Sequence, residues 1–466
     1  MTTNDLVALD ATEQAAKVRS RSVSAKELIE ATLARIDDIE PLVNAFRIVM
    51  TEHARAEAER IDSMPNSELN RLSLAGVPVA IKDDTDVAGQ STMWGSRIDR
   101  GASENDAEVV SRLRRAGAIV IGKTNVPELT LWPWTATERW GVTRNPWNLD
   151  LTPGGSSGGS AAAVCTGMAA LALGSDGGGS VRYPAGVTGL VGLKPQRDRV
   201  PLGPEHASGW HGLIALGPLT RSVRDAALFL DAVSTDHNAT SFSDATATPA
   251  QQLRIVVSTN PPPGSQVKLS PARRSQVENV ADLLVTLGHE ISKVDINYGF
   301  AALWNSTVRL LKGVQQDVAT MADRAKLEPR TRAVARMGRL IPNRSLRSAL
   351  EREEQITASI NSVFDSADIV VTPLCQSPAP AIDQCPTRGA HRSLRASNTS
   401  AWLVPWNLTG QPAIVVPTGL GDDNMPTAIH MVGRPGGEAV LLSLAAEIEA
   451  TQPFPAWTQA SIGAST

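Results

Sequence analysis

The chain has 466 residues, of which 42% are hydrophobic and 20% charged, so it can bury a large core. Its net charge of −4 offers no basic field for nucleic acid, and its three cysteines cannot form a disulfide framework. The longest apolar run is too short to span a membrane, and the first residues lack the apolar segment of a signal peptide. We therefore expect a cytoplasmic protein with no nucleic-acid or membrane partner.

The first part of the chain, to about residue 65, is predicted to be helical. Ser24 and Glu27 form a capping-box pattern, and an apolar stripe with helical spacing follows them to Ile39. A second helix is predicted from about Thr51 to Ile61, where Ala, Glu and Arg predominate.

Helices and strands then alternate along the chain. The segment from Gly76 to Lys82 predicts a strand that ends at the lysine, and Asp106 is predicted to cap a helix that ends at Gly117. A short buried strand is expected at 118–121. The same succession recurs later, with strands predicted at 289–294, 369–372, 413–416 and 428–432 and a last helix at 438–449. This alternation favours an α/β protein whose sheet is covered on both faces.

Two glycine–serine clusters stand out, one ending at Ser160 and the other at Ser180, with an apolar segment between them. Dense glycine marks backbone that must approach something closely. Two such turns could direct hydroxyls and N–H groups at one point, as acyl transfer requires of its nucleophile and oxyanion donors.

These clusters, GGSSGGS and GSDGGGS, together with GVPVAIKDD at 76–84, resemble the signature of the amidase signature hydrolases, serine enzymes without a catalytic histidine. The segments GKTNVPEL (122–129), TRNPWN (143–148) and GQPAIVVP (410–417) are similar to the family too, so the resemblance covers most of the chain. It implies one three-layer α/β/α domain over 1–466 around a mixed, mostly parallel sheet. Within it we expect N-terminal helices over about 1–65, a catalytic core over about 70–235, and variable loops at about 235–252 and 375–400.

The resemblance also implies a catalytic triad. Ser180 would be the nucleophile, Ser156 would bridge to the base after a cis peptide bond, and Lys82 would be the base. Desolvation can lower the pKa of a buried lysine enough for it to act as one. A lone lysine after an apolar strand is more often a solvated end residue, and Asp83 or Asp84 could simply pair with it.

Other residues around the triad have supporting roles in the resemblance. N–H groups in the glycine turn would form the oxyanion hole, namely those of Gly177, Gly178 and Gly179. Many family members carry threonine or isoleucine where this chain has Gly177. Ser157 would support the bridging serine, unless it only caps the next helix. Asp176 and Arg182 would brace the loop. Neither a metal nor an organic cofactor is implied.

Ten tryptophans are unusual beside two tyrosines. The resemblance places the region after the lysine at the substrate pocket, where Trp132, Trp134 and Trp140 could hold an aryl or extended apolar group. Core packing is the alternative for each of them. We accordingly expect a small-molecule substrate, an aryl or hydrophobic amide, with esters and carbamates (urethanes) as side activities. A monomer or a homodimer is expected.

Several alternatives stay open. An amidotransferase A-type subunit would need a partner and glutamine, but Tyr183 stands where such subunits often carry glutamine. A Ser-His-Asp hydrolase would use GGSSG (154–158) as a nucleophile elbow, but no strand is predicted directly before it. A non-catalytic member of the family would keep only binding. GAIVIGKT (117–124) matches a P-loop, but its interior is predicted to be a strand, with Pro127 where the helix should start.

Overall fold

The computed structural model describes residues 2–206, 208–235, 241–265, 267–396 and 399–458. The helices are Thr3–Ala8 (α1), Ala11–Arg19 (α2), Ala25–Val43 (α3), Thr51–Asp62 (α4), Asn66–Leu69 (α5), Glu108–Arg115 (α6), Gly158–Cys165 (α7), Arg182–Val187 (α8), Val223–Val233 (α9), Phe242–Ala247 (α10), Pro271–Thr286 (α11), Gly299–Thr320 (α12), Pro329–Leu340 (α13), Asn343–Glu351 (α14), Glu353–Asn361 (α15), Ala390–Ala396 (α16), Pro405–Leu408 (α17) and Glu438–Thr451 (α18).

The strands are Phe46–Val49 (β1), Pro78–Lys82 (β2), Ile119–Thr124 (β3), Ala136–Thr137 (β4), Gly141–Val142 (β5), Leu171–Asp176 (β6), Val191–Lys194 (β7), Ala215–Thr220 (β8), Arg254–Val257 (β9), Glu290–Lys293 (β10), Ile369–Pro373 (β11), Ala413–Leu420 (β12) and Pro426–Gly433 (β13). Short 3-10 helices lie at Glu128–Thr130, Pro204–His206, Gly209–His211, Arg324–Lys326, Ser362–Asp365 and Ile382–Gln384.

Eleven strands form one sheet in the order β1-β3-β2-β6-β8-β7-β12-β13-β11-β9-β10, and β4 pairs with β5 apart from it. The predicted mixed α/β sheet is confirmed, but the expectation that it is mostly parallel is wrong. Parallel pairs join β3, β2 and β6 at one end and β11, β9 and β10 at the other, and every pair between β6 and β11 is antiparallel. A short turn joins β12 to β13, and such a connection permits only antiparallel pairing.

Helices cover both faces of this sheet because successive strand residues point to opposite sides. In β2, Val79 and Ile81 face a core shared with α6 and α9, whereas Ala80 faces a core shared with α3 and α7. At the other end of the sheet, Val256 and Val370 contribute to a third core together with α12 and α13. The buried strands therefore carry apolar residues on both sides, as a sheet between two helical layers requires.

Most local predictions hold. The capping box of Ser24 and Glu27 is present, and Gly117 takes a left-handed φ of +96° just after α6, as expected of a residue that ends a helix. Asp106 does not cap α6, whose N-cap is Ala107; that prediction is wrong. The Asp106 carboxylate instead accepts a hydrogen bond from the N–H of Ala88 and pairs with a side chain of α6 itself.

The two predicted variable loops are not wholly irregular. The segment 235–252 contains α10, and 375–400 contains α16 and a 3-10 turn. Residues 236–240 of the first and 397–398 of the second lie outside the described residues. In the described part of the chain, none of the helices combines the length and the hydropathy of a membrane span.

Candidate active site

The site lies where two parallel strands end together. β2 and β6 are neighbours in parallel register, with Ile81 opposite Leu173, so their carboxyl ends meet at one edge of the sheet. Lys82 is the last residue of β2, and the glycine turn that ends at Ser180 begins directly after β6. The turn that carries Ser156 leads into α7, which packs against both strands. The topology thus brings together segments that are far apart in the sequence.

Lys82 is completely buried, and its ammonium group is surrounded by oxygen atoms. Its Nζ lies 2.8 Å from Ser156 Oγ, 2.7 Å from Ser175 Oγ and 3.0 Å from the Ser175 carbonyl. The Asp84 carboxylate lies 3.5 Å away and accepts a hydrogen bond from the Ser175 hydroxyl. Burial lowers the pKa of Lys82, and the negative charges of Asp84 and Asp176 oppose that shift. The alternative of a solvated end residue is thereby excluded.

The two glycine–serine clusters contact each other through main-chain and hydroxyl groups. The peptide bond between Gly155 and Ser156 is cis, as the resemblance implies. Ser157 donates its N–H to the Ser180 carbonyl at 3.2 Å and its hydroxyl to the Ser175 carbonyl at 3.4 Å. Ser157 occupies the N-cap position of α7 without a side-chain capping bond. Its hydroxyl therefore contacts the end of β6 and does not cap the helix.

Asp176 and Arg182 form a fully buried ion pair beneath the loop that carries Ser180. Two guanidinium nitrogens lie 2.9 Å from the two oxygens of the carboxylate. Asn407 donates to the same carboxylate at 2.9 Å and accepts from Arg182 at 2.6 Å. Burial disfavours the charged carboxylate, but Arg182 and Asn407 hold the pKa of Asp176 well below its usual range. This buried pair fixes the ends of the loop, so it is not a surface ion pair.

One N–H group of the glycine turn is hydrogen-bonded within the protein, and the described residues leave three others without a partner. Gly179 has a φ of +116°, and its N–H donates to the Asp176 carboxylate at 2.6 Å. For the N–H groups of Gly177, Gly178 and Ser180, the described residues supply no hydrogen-bond partner. Ser180 itself is half-buried and lines a cleft of about 230 Å³. The turn thus presents a hydroxyl and backbone donors beside one cleft.

Gly177 makes room for an aromatic ring. A Cβ at this position would lie 2.7 Å from Cζ3 of Trp210, so any larger residue would displace the indole. A Cβ added to Gly313 of α12 would likewise lie 2.6 Å from Cδ1 of Trp210. The indole N–H donates to Asp317 at 3.1 Å. This contact gives a physical reason why the chain departs from the family at Gly177.

The three tryptophans predicted for the pocket have different positions. Trp132 lines the cleft, and Trp134 stacks behind it with ring centroids 5.7 Å apart. Trp140 does not line the cleft; its ring packs against Arg47 and Arg139, and its N–H donates to a backbone carbonyl. Its position therefore gives the predicted pocket role no support. Trp210, which the sequence analysis missed, takes part in the cleft wall instead.

The histidines that the structure describes do not complete a triad with either serine. In the described part of the chain, no histidine ring is hydrogen-bonded to Ser156 or Ser180. His430 contacts Arg182 and Thr372, and burial lowers its pKa. The segment before GGSSG contains only an isolated bridge, so the strand of a nucleophile elbow is absent from this described segment. Both observations disfavour the Ser-His-Asp alternative.

Neither a nucleotide site nor a metal site is supported by the described residues. The P-loop-like segment runs along β3, and Lys123 at its end pairs with Asp83 inside the protein. Over the described ranges, no group of three or more His, Cys, Asp or Glu side chains is arranged to hold a metal ion.

Comparisons with known proteins give consistent matches. The family model described as Amidase matches residues 27–442. The chain is 43% identical to the Mycobacterium tuberculosis protein named "Putative amidase AmiB2", over 97% of this chain and 98% of that protein. It is 32% identical to a 6-aminohexanoate-cyclic-dimer hydrolase of a Pseudomonas species, over 96% and 95% of the two chains. A solved structure of a 6-aminohexanoate cyclic dimer hydrolase with substrate superposes with a TM-score of 0.86 at 29% identity, covering 96% of this chain and 98% of that one.

Proposed function

This chain belongs to the amidase family, as its motifs predicted, and we propose that it hydrolyses amides through an acyl-enzyme formed on Ser180. The observation that carries the proposal is the buried Lys82 amine, 2.8 Å from Ser156 Oγ and beside the turn that presents Ser180 to the cleft. As an amidase-family hydrolase the protein acts on carbon–nitrogen bonds.

The proposed reaction proceeds through a relay of hydroxyl groups. Neutral Lys82 accepts the proton of Ser156, which accepts the proton of Ser180 as its Oγ attacks the amide carbonyl. The oxyanion that forms is stabilised by the free N–H groups of Gly177, Gly178 and Ser180. The N–H of Gly179 donates to Asp176 and so positions the turn. It acts as an oxyanion donor only if its hydrogen is shared between the Asp176 carboxylate and the oxyanion. The proton returns along the relay to the leaving amine, and water then cleaves the acyl-enzyme.

The lining of the cleft favours apolar substrates. Trp132 and Trp210 supply aromatic walls, and Leu131, Leu310 and Val334 supply aliphatic ones. A mostly apolar cleft with a few convergent polar groups is typical of small-molecule sites. We therefore propose aryl or hydrophobic amides as substrates, and esters and carbamates as weaker ones.

The first test is covalent labelling. A fluorophosphonate should add to Ser180 in the purified chain, and peptide mass spectrometry identifies the modified residue. Labelling should be lost in Lys82→Ala because the nucleophile is no longer activated. An adduct on Ser156 with Ser180 unmodified would refute the assignment.

Substrate preference is tested separately. Hydrolysis of a 4-nitroanilide should exceed hydrolysis of acetamide in kcat/KM, and Trp210→Ala should reduce this preference. Equal activity on both substrates would contradict an aryl-binding cleft. Hydrolysis by the chain alone also distinguishes an amidase from an amidotransferase subunit, which needs its partner.

A further inference from the structure

A second cavity adjoins the catalytic cleft. It has a volume of about 400 Å³ and lies between α12, the loop around Gly264 and the start of α17. We call it the second chamber. Leu394, Ala401 and Val404 line both the second chamber and the cleft that contains Ser180. The two spaces therefore adjoin each other along these three side chains.

The second chamber begins close to the reacting serine. A Cβ on Gly178 would lie 3.6 Å from Cγ2 of Val404, so this valine contacts the turn that carries Ser180. On its other side Val404 faces the second chamber, whose remaining walls include Pro262, Ala302 and Leu303. Val404 therefore borders both the turn that carries Ser180 and an apolar space.

The chemistry of the walls limits what can occupy this space. Charged residues are absent from its described lining, which is aliphatic apart from Ser265 and Ser306. Ser306 is 5% exposed, and its hydroxyl has no hydrogen-bond partner among the described residues. A buried hydroxyl without a partner is unfavourable, and a ligand that supplies one recovers the loss. Because Ser306 lines the second chamber and not the catalytic cleft, the chamber fits an aliphatic chain that carries a hydrogen-bonding group away from the reacting carbonyl.

We propose that the second chamber binds an aliphatic chain of the amide substrate and makes the enzyme selective for long-chain amides with a polar far end. The proposal rests on the function proposed for Ser180. The chain belongs either to the acyl group or to the amine, and the experiment distinguishes the two.

The experiment uses two substrate series with the full-length enzyme. In the first, 4-nitroanilides carry acyl chains from acetyl to decanoyl; in the second, acetamides carry N-alkyl chains of the same lengths. In one series kcat/KM should rise by roughly threefold for each methylene that enters the chamber. If neither series shows a rise while the acetyl anilide is hydrolysed through Ser180, the chamber proposal is overturned and the proposed function stands.

Variants then show which residues cause the rise of kcat/KM with chain length. Ala302 lines the second chamber but not the catalytic cleft. Ala302→Leu should therefore abolish the rise of kcat/KM with chain length. For each variant, kcat/KM is divided by the value that the same variant shows with the acetyl substrate. Leu303→Ala should weaken the rise and serves if the larger residue disturbs folding. Leu350→Ala is the matched control, because Leu350 is 41% exposed, as against 39% for Leu303, and lines neither space. A rise that survives in both chamber variants would overturn the proposal.

Ser306 tests the polar far end. Ser306→Ala should lower kcat/KM about fivefold for a chain that ends in a carboxamide, with no comparable loss for the hydrocarbon chain of equal length. Equal losses for both chains would refute the hydrogen bond. If no amide in either series is hydrolysed, or if Ser180→Ala leaves hydrolysis unchanged, the proposed function fails and the chamber proposal fails with it.

Discussion

Two buried lysines at the ends of neighbouring strands allow the proposed base to be compared with a lysine held in an ion pair. Lys82 ends β2, and Lys123 lies beside it in β3, opposite Ile81; both side chains are fully buried. Each donates to a hydroxyl that donates in turn to a carboxylate. The pairs are Ser175 with Asp84 for Lys82, and Thr92 with Asp86 for Lys123.

The two sites differ in the group that lies against each ammonium. Lys123 lies 3.2 Å from the carboxylate of Asp83, which Arg47 also contacts at 2.9 Å. Lys82 has the Ser156 hydroxyl at 2.8 Å and its nearest carboxylate at 3.5 Å. Burial lowers the pKa of both lysines, but a carboxylate in direct contact favours the charged form. Burial alone therefore does not single out the proposed base; what separates the two sites is the Ser156 hydroxyl beside Lys82 and the closer carboxylate beside Lys123.

The largest expected effect concerns Lys82. Lys82→Met keeps the length of the side chain and removes the amine, so kcat should fall by roughly 10²–10⁴-fold because the proton acceptor is lost. Steady-state kinetics with a 4-nitroanilide measure the loss, and circular dichroism confirms that the variant is folded. A raised KM with an unchanged kcat would show that Lys82 only binds substrate.

The same substitution at Lys123 should act on stability. Lys123→Met leaves Asp83 buried with only Arg47 as a cationic partner, and removing one member of a buried ion pair costs about 3–5 kcal/mol of unfolding free energy. Urea unfolding measures this cost. The folded fraction should retain kcat within a few-fold. A large fall in kcat without destabilisation would break the distinction between the two lysines.

The carboxylates give a matched pH test. The charge of Asp84 favours the protonated form of Lys82 and so raises its pKa, and Asp176 acts in the same direction. His206 lies near Asp84 and Lys82. In Asp84→Asn the pKa of Lys82 falls, the neutral base persists to lower pH, and the acidic limb of kcat against pH moves down by at least about one pH unit. Asp83→Asn is the control and should leave that limb in place. Equal movement in both variants would contradict the assignment.

The smallest effects are expected at the two hydroxyls. Ser175→Ala removes one hydrogen bond that orients Lys82, so kcat should fall roughly tenfold. Thr92→Val makes the equivalent change beside Lys123 and should lower the unfolding free energy by about 1–2 kcal/mol with kcat unchanged. Kinetics and urea unfolding of both variants form the test. A fall in kcat for the Thr92 variant alone would reverse the roles.

Short motifs with strict spacing could be interpreted from the sequence. GVPVAIKDD and the two glycine–serine clusters predicted the family and the segments that meet at the edge of the sheet. Helix caps are harder to predict from sequence, because an aspartate such as Asp106 can accept hydrogen bonds from several groups. Here it accepts one from the N–H of Ala88 and not from the end of the helix.

Features that depend on contacts between residues far apart in the sequence could not be predicted in this way. The antiparallel centre of the sheet follows from which strands become neighbours, and hydrophobic patterning does not determine this. Trp140 and Trp210 illustrate the same limit in the cleft. Both are large aromatic residues next to charged or glycine-rich segments, and only the fold places one of them in the wall of the cleft that Ser180 lines. The glycines on either side of Trp210, at 209 and 212, were the one local signal of an unusual backbone there.

Gly177 and Trp210 have a consequence for the history of this enzyme and for its redesign. A side chain at 177 and the indole at 210 would occupy the same volume, so a residue larger than glycine at 177 requires a smaller one at 210. The two positions should therefore covary among relatives: a threonine or isoleucine at 177 should accompany a smaller residue at 210. An engineer who wishes to reshape the cleft should treat them as one exchangeable unit and introduce both substitutions together.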